Sequence, residues 1–73
     1  MKLLIESTTK IVALDGVPAR VWEGTTESGI AVQCFITRVA VHASEDQSEF
    51  ERELADCRTP SEEVAVFPAR LVL

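Results

Sequence analysis

The first strand signal along the chain comes from Thr8, Thr9, Ile11, Val12 and Leu14, whose β propensity predicts a strand over residues 3–14. Asp15-Gly16 follows as a hairpin turn, since glycine accepts the positive φ that a tight primed turn requires. A second strand is expected from Val17 to Glu23. Val17, Ala19 and Val21 fall on one face of it, and Pro18, Arg20 and Trp22 on the other. Pro18 has no N–H for a ladder, so it belongs at a strand start or on an edge. The polar loop Gly24-Thr25-Thr26-Glu27-Ser28-Gly29 then opens into the longest apolar, β-branched run, residues 29–42. There Ile30, Val32, Cys34 and Ile36 share one face, and Ala31, Phe35, Val39 and Val41 mostly the other. Apolar residues on both faces predict a central strand, covered on both sides.

At Ala43-Ser44 the period changes. Ser44 and Gln47 fit a capping box, and Glu45 and Asp46 would occupy a first turn that favours negative charge. Phe50, Leu54 and Cys57 recur at helical spacing, which predicts a helix over 45–57 that lays this stripe on the sheet. Arg58-Thr59-Pro60 ends it, because proline disfavours helix in the residue before it. Thr59-Pro60-Ser61-Glu62 reads as a second cap for a short turn over 60–65, although Val64-Ala65-Val66-Phe67 equally begins a strand. Ala69 to Leu73 reads as a closing strand with Pro68 at an edge. The expected fold is therefore α+β and a single domain, residues 1–73. Its small antiparallel sheet has three to four strands and an N-terminal meander. One amphipathic acidic helix packs on it, and a C-terminal strand closes it.

Length adds a constraint. A chain of 73 residues buries only roughly 60% of its unfolded surface, so a homodimer or higher oligomer is the expected source of added stability. Cys34 and Cys57 make no disulfide framework, and with a single histidine they supply no zinc set, so free thiols and no metal or cofactor are expected. Met1-Lys2-Leu3-Leu4-Ile5 opens like a secretory leader. Only three apolar residues follow the lysine, so the expectation is a soluble protein of a reducing cytoplasm with no membrane association.

Charge changes the picture more. Lys2, Lys10, Arg20 and Arg38 cancel Glu6, Asp15, Glu23 and Glu27 over residues 1–43. The whole net charge of −5 comes from eight acids against Arg52, Arg58 and Arg70 in residues 44–73. Such a distribution disfavours direct nucleic-acid binding and favours a basic partner. On the predicted helix Glu45, Glu49, Glu53 and Asp56 form one ridge. Its Glu45/Glu49 and Glu49/Glu53 pairs are each unfavourable by roughly 0.2–0.5 kcal/mol. The ridge is the first candidate partner interface. Arg20 and Trp22 share a strand face and form the second, since Trp and Arg are enriched among interface hot spots. Catalysis has no comparable candidate. Cys34 and His42 lie eight residues apart on one strand, roughly 26 Å if extended, and no phosphate-cradling glycine loop is present.

The stretch Gly16-Val17-Pro18-Ala19-Arg20-Val21-Trp22-Glu23-Gly24-Thr25-Thr26-Glu27-Ser28-Gly29-Ile30 resembles small hypothetical proteins of bacteriophages and prophages. The similarity continues through Phe35-Ile36-Thr37-Arg38-Val39-Ala40-Val41 and Phe50-Glu51-Arg52-Glu53-Leu54 to Pro68-Ala69-Arg70-Leu71-Val72-Leu73. It carries no site residues. It implies a compact accessory protein in a bacterial cell that binds and blocks a host protein. Combined with the acidic helix surface, the favoured expectation is non-enzymatic binding to a host protein with a basic surface, inhibiting a defence or nucleic-acid-handling complex. A structural homo-oligomeric virion or assembly component is the alternative expectation, and a small-molecule-binding or enzymatic domain the third.

Overall fold

The computed structural model describes residues 1–61. Three antiparallel strands, β1 (Leu3–Leu14), β2 (Val17–Thr26) and β3 (Ala31–Ile36), form a meander in the order β1-β2-β3, and a short helix, α1 (Gln47–Leu54), follows. The predicted first strand and hairpin are present. Asp15 (φ 51°) and Gly16 (φ 80°) both take the positive φ of a two-residue primed turn, joining the paired residues Leu14 and Val17. The second hairpin turns over Glu27-Ser28-Gly29. Thr26 N–H donates to Ile30 (2.9 Å), Gly29 N–H donates to Thr26 (3.0 Å), and Gly29 sits at φ 92° as the left-handed residue that completes the turn.

The expectation of an α+β fold with a packed helix is corrected to a small β-rich fold carrying a short helix. None of the α1 residues is buried. Phe50 is half-buried, and Leu54 is 44% exposed. The helix is also shorter than the predicted 45–57, because Asp46 caps it in place of Ser44. Its carboxylate accepts the Glu49 N–H (3.1 Å) and the Ser48 hydroxyl (2.8 Å), while Gln47 turns back to the carbonyls of His42 and Glu45. Eight residues carry two apolar stripe positions, too few to anchor a helix on a sheet.

The run 29–42 is not the central strand. The centre is β2, and β3 is an edge strand of six residues. Register explains where β3 stops. Its last pair is Arg20 with Ile36, and the next bond toward β3 would come from Pro18, which has no N–H to give. The closing strand and most of the 60–67 segment lie outside the described residues; Pro60 and Ser61 have no regular structure.

Among the described residues, the buried apolar side chains are Ala19 and Val21, each 1% exposed. The same face of β2 continues to Glu23, which is also buried. β1 departs from regular pairing beside this core. Four residues advance from Ser7 to Ile11 while β2 advances two, from Arg20 to Trp22, so β1 holds two extra residues. Fully buried Thr8 repairs the interruption: its hydroxyl donates to the Val21 carbonyl (2.6 Å), and the Arg20 guanidinium donates to the Thr8 carbonyl (2.8 Å). At this point the Ser7 carbonyl and the Thr9 N–H face away from β2. Both bond to the Arg58 backbone (3.2 and 2.9 Å), which ties the chain beyond α1 to the outer side of β1.

Candidate functional site

Arg58 is the pivot of the most chemically loaded region. Its guanidinium pairs with the carboxylate of Glu23 and lies 3.4 Å from that of Glu6. Glu6 and Glu23 are opposite each other on β1 and β2, an arrangement that repels unless a cation bridges it. Ser61 completes the shell, with its hydroxyl (2.9 Å) and backbone N–H (3.2 Å) both donating to Glu23. Burial acts to raise the Glu23 pKa. The Ser61 hydroxyl, the Arg58 guanidinium and the Ser61 N–H outweigh it and hold the carboxyl below its ordinary value.

Beside this cluster lies an open cleft of about 280 Å³, lined by Glu6, Ser7, Trp22, Glu53, Asp56 and Arg58. Trp22 reaches it from the face of β2 opposite the buried one, paired across the sheet with Ser7 and Cys34. Glu53 and Asp56 arrive at the end of α1, held in place by the Ser7 hydroxyl, which donates to the Asp56 carbonyl (3.3 Å). Three carboxylates against one guanidinium leave the lining with a net charge of −2. Glu6 already faces Arg58. Among the described residues, the carboxylates of Glu53 and Asp56 have no hydrogen bond or ion pair.

The structure divides the predicted acidic ridge. Glu45 precedes the cap and lies outside α1, and Glu49 is held in a two-point pair with Arg52. Glu53 and Asp56 are the two ridge residues that line the cleft, and among the described residues neither carboxylate has a partner. The Arg20/Trp22 face divides as well. The Arg20 guanidinium is committed to the bulge, whereas half-buried Trp22 joins Glu53 and Asp56. Two surfaces that the sequence presents as alternatives thus contribute to one cleft.

Sequence reasoning missed Glu6, Ser7, Glu23 and Arg58. For Glu23 a signal was present: it continues the Val17, Ala19, Val21 alternation, so an acid at that inward position requires a partner. The contribution of Arg58 depends on a bulge and a contact 35 residues away, and no local pattern encodes either. Among the described residues, no three His, Cys, Asp or Glu side chains converge as metal ligands, and no helix is long and apolar enough to cross a membrane. Cys34 and Cys57 are free and half-buried. Comparison with protein families, curated proteins and solved structures finds no match.

Proposed function

We propose that this chain is a non-enzymatic protein-binding module whose Trp22 cleft takes a lysine or arginine side chain of a basic protein partner. The observation that carries the reading is the pair of uncommitted carboxylates, Glu53 and Asp56, beside the indole of Trp22. An ammonium or guanidinium over the ring face gains a cation–π attraction of about 0.5–2 kcal/mol, and the carboxylates add charge-assisted hydrogen bonds. The cleft is open, which suits an incoming side chain and offers reacting groups no exclusion of water. Taken with the resemblance to phage and prophage proteins, the partner class is a host protein that handles nucleic acid, because such proteins present basic surfaces.

The test pairs stability with binding on one variant, Glu53→Lys/Asp56→Lys. Both positions lie near the C-terminal end of α1, where cations are favoured, so thermal unfolding should stay level or rise slightly. Capture of basic proteins from a bacterial lysate at low salt should fall at least tenfold. Wild-type capture should weaken with salt, mainly through a slower on-rate. Undiminished capture by a stably folded variant would remove the cleft as the interface.

A further inference from the structure

The outer edge of β3 carries a second surface, independent of the cleft. In the β2–β3 hairpin the Thr26–Ile30 bond sets the alternation of the ladder. Ile30, Val32, Cys34 and Ile36 therefore turn their backbone groups toward β2, and Ala31, Gln33 and Phe35 turn theirs outward. Among the described residues, nothing pairs with that edge. It also lacks the usual protection against pairing, since Ala31–Ile36 contains no charge, no proline and no bulge.

We infer that two copies of this chain join antiparallel along β3, with the two-fold axis at Gln33, to make one six-stranded sheet. The pattern of the edge is self-complementary in this register. Gln33 meets Gln33 of the other copy, two neutral amides able to bond each other. Ala31 meets Phe35, small against large. Ile30, 64% exposed, meets Ile36. Three outward residues on each copy supply three N–H and three C=O groups, so six backbone bonds close the seam. The ends match in charge as well. Glu27 lies at the hairpin before β3 and Arg38 just beyond its end, both exposed, and neither side chain has a partner among the described residues. Antiparallel pairing sets the Arg38 end of each copy beside the Glu27 hairpin of the other, twice across the axis. A second copy therefore meets no like charge along the seam and gains two opposite-charge contacts.

Sedimentation from low-micromolar to sub-millimolar concentration, with amide exchange followed residue by residue, tests the pairing. The 8.0 kDa chain should pass from monomer to dimer as concentration rises. Ala31, Gln33 and Phe35 amides should become protected over the same range, while Val32, Cys34 and Ile36 are protected throughout. Reversing either end charge, Glu27→Arg or Arg38→Glu, should weaken dimerisation about three- to tenfold, as two exposed pairs become repulsive. The double reversal should restore it to within about twofold. A monomer at every concentration would overturn the inference. So would a dimer in which Gln33 exchanges freely, or one indifferent to all three variants.

Discussion

Replacing Gly24 with alanine should destabilise the fold by about 3 kcal/mol, more than any other glycine change in the described chain. Gly24 lies on the central strand between Ile5 and Val32. A β-carbon there would fall 1.9 Å from the Leu4 carbonyl oxygen and 2.8 Å from the Ile5 α-carbon. Those atoms are backbone, so no side chain can swing aside, and β1 must move away from β2 at that end. Gly16 and Gly29 provide the contrast. A β-carbon at either meets nothing within 4 Å, and the only penalty is the left-handed backbone, roughly 1–2 kcal/mol. Urea unfolding of the three alanine variants should therefore rank Gly24→Ala as the most damaging. A loss below about 0.5 kcal/mol, the range of ordinary surface changes, would mean that β1 and β2 are not in this register.

The second large effect is expected at Glu23. Glu23→Gln keeps the shape but removes the charge that holds Arg58 and bonds Ser61. Losing one partner of a buried ion pair costs about 3–5 kcal/mol. The Arg58 side chain is 40% exposed and part of its charge stays solvated, so about 2 kcal/mol is expected here. The pH dependence identifies the cause. Because the folded-state pKa of Glu23 lies below its ordinary 4.5, the unfolded chain binds the proton more readily. The contribution is complete above about pH 4.5 and is lost as pH falls through the lower folded value. Asp46 is held low in the same direction, by the Glu49 N–H first and the Ser48 hydroxyl next, so Glu23→Gln should flatten the acid limb without abolishing it. The gap between wild type and variant should be full at pH 7 and should narrow progressively as pH falls below 4.5. A constant gap across that range would show that the glutamine variant fails through packing and not through lost charge.

Local chemistry made the first half of the fold legible. The limits of β1, the Asp15-Gly16 turn and the opposite faces of Ala19 and Trp22 all follow from propensity, positive φ and the two-residue period. The order of the strands did not follow. An apolar run from 29 to 42 looks central by hydrophobicity. Its length is decided instead by Pro18 on the neighbouring strand, which denies the next ladder bond. The helix was misjudged for a related reason. Spacing identified Phe50, Leu54 and Cys57 as a stripe, but spacing does not say whether a sheet face is near enough to receive it. At the site, Trp22, Glu53 and Asp56 were each visible as candidates. Their meeting depends on the Thr8 bulge and on Arg58 docking to β1, tertiary events that leave no periodic mark.

Trp22 is the only tryptophan and lines the cleft, so its own fluorescence tests the central claim most directly. An oligolysine or oligoarginine peptide added at low salt should change the Trp22 emission saturably. Added salt should weaken the response, and an acidic peptide of equal length should give none. With Glu53→Gln/Asp56→Asn the apparent affinity for the basic peptide should fall at least tenfold, while the emission of the free protein stays unchanged. Trp22 emission that ignores the basic peptide, or a response equally strong in the neutralised variant, would contradict a cation-binding cleft.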